Sequence, residues 1–124
     1  MIIIDTDVLI EIFDKGSKKG TDALEKIESS GEDIAITSLS LHEILYGLYK
    51  FGKKKIPSVE KLETIDFCKE DAILSAKIEL DAEQKGCTLS RIDAMIGAIV
   101  INRKAKLFTF NKKHFQSIPK LSLF

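Results

Sequence analysis

Ile2-Ile3-Ile4-Asp5-Thr6-Asp7-Val8-Leu9-Ile10 is the stretch whose reading decides the fold. Three β-branched residues in a row, with no polar alternation, predict a strand buried on both faces, the pattern of a central parallel strand. Asp5 ends that strand. From Thr6 onward the apolar residues Val8, Leu9, Ile12 and Phe13 recur at helical spacing.

The rest of the chain continues the alternation. Residues 15–20 read as a Lys- and Gly-rich loop. Residues 21–30 predict a second helix, with Ala23, Leu24 and Ile27 inward and Gly31 as its stop. Ile34-Ala35-Ile36 is a second buried strand, and residues 40–49 a helix with Leu41, Ile44, Leu45 and Leu48 on one face. Gly52-Lys53-Lys54-Lys55 reads as a loop, and residues 57–61 as a helical continuation before a short strand around 63–65. Residues 70–85 form a long amphipathic helix stopped by Gly86. Residues 92–102 form another, with Ile92, Met95, Ile96, Ile99 and Val100 on one stripe. Leu107-Phe108-Thr109-Phe110 is a strand, and Leu121-Ser122-Leu123 a short last one. Strands alternating with helices predict an α/β sandwich around a mostly parallel sheet. At 124 residues the chain is expected to be one domain, residues 1–124.

Composition narrows the function. Lysine plus arginine equals aspartate plus glutamate at 19 each, so no overall positive charge draws the chain to nucleic acid, and a local site must do so if anything does. The apolar run at residues 94–101 is too short to cross a bilayer, which takes ~20 residues. Met1 leads directly into the isoleucines, without a basic segment or cleavage site. Cys68 and Cys87 lack metal-ligand spacing. The expectation is therefore a cytoplasmic protein with reduced thiols and no membrane association.

Ligands of parallel sheets bind beyond the carboxyl ends of the strands. Asp5, the segment running from Ser38 to Glu43, Asp66 and Asn111 all follow strands, and Asp93 lies in the first turn of the 92–102 helix. Converging carboxylates repel one another unless a cation joins them, and Asp, Glu, Asn and water oxygens suit Mg²⁺ or Mn²⁺. Each residue also has a plainer reading. Asp5 caps the helix after it. Glu43 completes a capping box with Ser40, and Asp93 follows Ser90 by the same three residues and suits the helix dipole. Asp66 and Asn111 are turn formers.

Four segments in order resemble PIN-domain proteins, and in spacing and length the VapC-type toxins of toxin–antitoxin pairs. They are the opening stretch at residues 2–10, Thr37-Ser38-Leu39-Ser40-Leu41-His42-Glu43-Ile44-Leu45-Tyr46-Gly47, Arg91-Ile92-Asp93-Ala94-Met95-Ile96-Gly97-Ala98, and Leu107-Phe108-Thr109-Phe110-Asn111-Lys112-Lys113-His114-Phe115. The resemblance implies a three-layer α/β/α sandwich, an endoribonuclease dependent on Mg²⁺ or Mn²⁺, a VapB-like antitoxin partner and a homodimer. It assigns Asp5 and Asp93 as direct metal ligands and Glu43 as a ligand through water or an orienter of the nucleophile. Asn111 and Thr109 are to hydrogen-bond water or phosphate, and Arg91, Lys112 and Lys113 to meet RNA phosphates. Asn111 stands where many members carry a fourth acid, and Asp7 where Ser or Asn is usual. The antitoxin is expected to place an Arg or Lys into the acidic pocket, beside an apolar groove on the helix over residues 41–49.

Two rivals remain at this stage. Asp5-Thr6-Asp7-Val8-Leu9 also fits the opening of haloacid dehalogenase-type phosphatases, with Asp5 as nucleophile and Asp7 as acid/base. With Asn111 in place of an acid, a degenerate PIN domain that only binds a partner is the third reading.

Overall fold

The computed structural model of the chain describes residues 1–52 and 58–124. The lysine loop expected over 53–55 and the start of the segment expected at Pro57 lie outside the described residues.

Four strands form one parallel sheet: β1 (Ile2–Ile4), β2 (Ile34–Thr37), β3 (Thr64–Ile65) and β4 (Lys106–Phe108), in the order β3-β2-β1-β4. β1 is central, with Ile2 opposite Ile34 on one side and Ile3 opposite Leu107 on the other. Its three isoleucines are at most 3% exposed, as an unbroken β-branched run requires. Leu123 adds a single parallel bridge to Leu107 at the outer edge of β4, where a terminal strand was expected.

The pleat sends alternate residues to opposite faces, and two cores result. Ile2, Ile4, Ile36 and Phe108 pack with Val8, Leu9, Ile27, Ile44 and Leu48 from α1 (Thr6–Leu9), α2 (Lys18–Ser30) and α3 (Ser38–Lys50). Ile3 and Leu107 pack against Ile78, Ile96, Ile99 and Val100 from α4 (Lys69–Gln84) and α5 (Arg91–Asn102). The architecture is the expected α/β/α sandwich. No helix among the described residues is long and apolar enough to cross a membrane, and both cysteines are free thiols.

Element boundaries differ from the expected ones for identifiable reasons. The helix after β1 is α-helical only to Leu9, and Ile10–Lys15 is π-helical, closing on Gly16 in the left-handed region. α2 starts three residues early because Ser17 caps it, its hydroxyl accepting from the Gly20 N–H at 3.0 Å. At Gly20 the Glu11 backbone approaches so closely that any Cβ would collide with its carbonyl. α3 also starts early, since Thr37 and not Ser40 caps it by accepting from the Ser40 N–H at 3.0 Å. Glu43 therefore takes no part in a capping box.

On the far layer α4 carries a buried carboxylate that nothing in the sequence pattern signals. Asp71, 0% exposed, accepts from Asn102 Nδ2 at 2.8 Å and Arg103 Nη1 at 2.9 Å, and from the Cys68 N–H at 3.1 Å. Burial alone would raise its pKa. The combined hydrogen bonds from Asn102, Cys68 and Arg103 outweigh that and hold it below the ordinary value.

Candidate active site

Asp5 is held where the two central strands end. Its backbone N–H donates to the Phe108 carbonyl at 2.9 Å, continuing the β1–β4 ladder by one bond, so its carboxylate stands at the carboxyl ends of both. The chain runs from β1 to β2 in one direction and returns to β4 on the other side, so this is the point where the strand order reverses. Oδ1 accepts from the Thr6 N–H at 2.8 Å, capping α1, and Oδ2 accepts from the Thr109 hydroxyl at 2.9 Å. The cap reading and the site reading of Asp5 both hold, one oxygen each. Asp5 is 8% exposed. Its pKa is raised to about 7, first by burial, then by the charge of Asp7 and, further off, of Asp93, against the hydrogen bonds of Thr109 and Thr6.

Asp7, whose role the sequence left open, is the clamp of the site. Its Oδ1 accepts from the Val8 N–H at 2.8 Å, and its Oδ2 from the Phe110 N–H at 3.0 Å, with the Thr109 hydroxyl 3.4 Å away. Those bonds pull Thr109 and Phe110 out of the ladder, which is why β4 stops at Phe108 instead of running to Phe110. They also tie each oxygen of Asp7 to a backbone N–H, which fixes the side chain in place. Thr109 is 3% exposed; its hydroxyl accepts from the Asn111 N–H at 3.1 Å and donates to Asp5. It positions the carboxylate from inside, where substrate contact was expected.

Glu43 and Asp93 approach from the two helical layers. Glu43 Oε1 accepts from the Thr6 hydroxyl at 3.3 Å, and its pKa is raised by partial desolvation and, more weakly, by Asp93. Asp93 follows the cap of α5, where Ser90 accepts the Asp93 N–H at 3.1 Å. Desolvation raises the Asp93 pKa against a Ser90 hydrogen bond and the charge of His114, whose Nδ1 lies 3.9 Å from Asp93 Oδ2. His114 was not foreseen. It sits in the last of the four family-like segments, but only the turn Lys112–Phe115 brings it across to α5.

Other expected residues lie differently. Arg91 is turned to α4, where its Nε and Nη2 bind the two carboxylate oxygens of Glu79 at 3.0 and 3.1 Å, so its guanidinium is not directed to the acids. Asp66 is exposed and does not cap α4; Cys68 does. Asn111 is exposed, and only its backbone joins the hydrogen bonds of the site. Lys112 and Lys113 line the open cavity next to it.

Four acids thus share one edge of the sheet, where Asp7 and Asp93 act on Asp5, Asp7 on Asp93, and Asp93 on Glu43. Among the described residues no lysine or arginine forms an ion pair with any of them. The donor set is all oxygen, which fits a hard divalent cation. No three acidic, histidine or cysteine side chains among the described residues stand close enough to form a ready-made cage.

The sequence matches the PIN domain over residues 2–121. The chain belongs to the PIN-domain family. Ribonuclease VapC2 of Rickettsia felis is 30% identical to this PIN-domain protein over 127 residues, covering 98% of this chain and 94% of its own length. Ribonuclease VapC1 of Methanocaldococcus jannaschii is 26% identical over 124 residues, covering 98% and 84%. Among solved structures, VapBC2 from R. felis bound to a DNA fragment from its promoter superposes with a TM-score of 0.80 at 29% identity, covering all of this chain and 98% of the other.

Proposed function

We propose that this PIN-domain protein is a divalent-metal-dependent endoribonuclease and the toxin half of a VapBC-type pair, inhibited by a VapB-like antitoxin. The observation that carries the reading is the buried Asp5 carboxylate, with Asp7 and Asp93 adding to its negative field and no protein cation paired to it among the described residues. Similarity along nearly the whole chain to proteins named ribonuclease VapC supports the substrate class.

Asp5 and Asp93 would hold Mg²⁺ or Mn²⁺, with Glu43 joining through water. Bound there, the ion supplies Lewis acidity toward a phosphodiester and lowers the pKa of a water that attacks in line. The residues of the chain do the rest. Thr6 and Thr109 fix one oxygen each of Asp5, and Asp7 fixes Thr109 through the segment that follows. Glu43, with its raised pKa, would orient the attacking water and take its proton on a carboxylate oxygen while the phosphorus–oxygen bond to the leaving sugar oxygen breaks and that oxygen takes a proton from solvent water. Lys112 and Lys113 neutralise RNA phosphates. In the inhibited pair an antitoxin guanidinium enters among the acids, where a planar fork matches carboxylates. The apolar part of the antitoxin lies on α3, whose Tyr46 and Tyr49 are 59% and 56% exposed.

Incubation of the purified protein with tRNA and structured RNAs, with and without Mg²⁺ or Mn²⁺, tests this. Cleavage only with the ion is expected. A protein that cleaves none of them and binds no divalent ion is a binding module instead.

A further inference from the structure

On the far layer a groove opens between α4 and the turn that follows Phe115. The turn is pinned to α5. Ile118, 4% exposed, packs so closely over Gly97 that a Cβ there would lie 2.8 Å from Ile118 Cδ1, and the Ile118 N–H donates to the Phe115 carbonyl at 3.1 Å. Pro119 and Lys120 are thereby held beside α4. Leu74 and Ile78 of α4, Ile101 of α5 and Pro119 give an apolar floor to a cavity of about 280 Å³. Ile101 stands eight residues from Asp93, about 12 Å along α5 at ~1.5 Å per residue, and none of the four acids lines this cavity.

The rim of the groove is charged. Lys77 and Lys85 come from α4, and Lys120 from the turn, where its backbone sits in the left-handed region at φ 66°. The one acid on the rim, Asp81, is taken up by Lys85, whose Nζ lies 2.9 Å from its Oδ2. Lys77 and Lys120 form no ion pair among the described residues. On a chain whose formal net charge is zero, these two are a local excess of positive charge around an apolar floor. Lysine stems lie along apolar surface while their ammonium groups stay in water, so an apolar group with anions beside it complements both parts of the groove. The volume falls below the ~300–1,000 Å³ of small-molecule sites and suits one large side chain.

We propose that this groove docks an acidic peptide segment of a partner protein, with one leucine-sized side chain in the hollow and carboxylates on either side against Lys77 and Lys120. The apolar anchor supplies the affinity, as a buried side chain at the centre of a small interface does. The lysines select an acidic segment and set its register. The inference does not depend on the ribonuclease reading. Because the groove lies at the end of α5 remote from Asp93, a segment docked there leaves the acidic centre open.

The test is fluorescence anisotropy in EDTA with a labelled peptide of serines around one central leucine that has two glutamates on each side. Lys77→Gln/Lys120→Gln is compared with Lys19→Gln/Lys26→Gln, which removes the same charge from α2, and circular dichroism checks that each variant is folded. The first pair is expected to weaken binding about fivefold, the scale of two surface charge contacts, and the second to match wild type. Lys77→Arg/Lys120→Arg should retain the affinity. A peptide with serine in place of the leucine should bind the wild type about tenfold more weakly, through loss of the buried apolar side chain. No binding to the wild type at millimolar peptide would overturn the proposal. So would equal weakening by the two glutamine pairs, which would mean unspecific charge attraction, or equal binding of the leucine and serine peptides. Unchanged peptide binding by Lys77→Gln/Lys120→Gln together with altered sedimentation of the protein itself would make the groove an interface between copies of this chain, and would overturn the proposal too.

Discussion

Replacing Asp5 by asparagine is expected to stabilise the metal-free protein at alkaline pH and to leave it nearly unchanged in acid. The folded state holds the Asp5 proton up to about pH 7, against an ordinary value of 3.8. Between those values the native state binds more protons than the unfolded one, so stability falls as pH rises. The loss begins near pH 4 and is complete above about pH 7. Each pH unit of that interval is worth about 1.4 kcal/mol, which sets an upper bound of roughly 4 kcal/mol. The neutral amide of Asp5→Asn escapes this cost. It keeps one oxygen for the Thr6 N–H but must donate to Thr109, whose proton then turns to Asp7 at 3.4 Å. Rearranging that bond returns about 1 kcal/mol, leaving a net gain of roughly 2–3 kcal/mol at pH 8. The assay is urea or thermal unfolding in EDTA between pH 4.5 and 8.5. At pH 8 the melting temperature of Asp5→Asn should exceed that of wild type by roughly 10 °C, and the curves should converge toward pH 4.5. Adding Mn²⁺ should raise the wild type and not the variant. Parallel curves at all pH values would refute the burial of an ionisable Asp5 as the electrostatic centre of the site.

Three further outcomes follow from the same geometry. Asp7→Asn keeps an acceptor for the Phe110 N–H while deleting the largest charge that raises Asp5, so the Asp5 titration followed by NMR should move down from about 7; Asp7→Ala should also release the segment after β4 and slow cleavage. Asn111→Asp adds an anion at an exposed position beside the acids, and calorimetry should show tighter Mn²⁺ binding; unchanged affinity places residue 111 outside the metal's reach. The chain should sediment as a two-fold homodimer, the commonest closed assembly, using exposed apolar side chains such as Ile73 and Leu80 on α4; particles of only 13.9 kDa at micromolar concentration contradict it.

The α/β alternation and the position of Asp5 were legible because they rest on local signals, while the three-layer order came with the family likeness. An unbroken β-branched run has to be buried on both faces, and the residue that ends it has to emerge at the strand's carboxyl end. Glu43 and Asp93 were legible as members of family-like segments at strand and helix starts. What the sequence hid is long-range or competitive. Thr37 wins the cap of α3 from Ser40 because the strand delivers it in extended backbone with its hydroxyl already facing the helix start. No periodicity links Asp7 to Phe110 across 103 residues, or Asp71 to Arg103 across 32. Arg91 looked free beside the site, yet Glu79, on a different helix, satisfies its guanidinium. The π-helical turn after Leu9 keeps Ile12 and Phe13 against the core, so its apolar pattern reads like that of an ordinary helix.

The most direct test is single-turnover cleavage of one labelled RNA by wild type and by Asp93→Asn, each in Mn²⁺ and in EDTA. Asp93→Asn keeps the size of the side chain and, through the bond from the residue 93 N–H to Ser90, the start of α5. The account predicts cleavage by wild type in Mn²⁺ alone, and none above background by the folded variant under either condition. Equal metal-dependent cleavage by both would contradict the assignment of the acidic centre, and cleavage by wild type in EDTA would contradict its dependence on the ion.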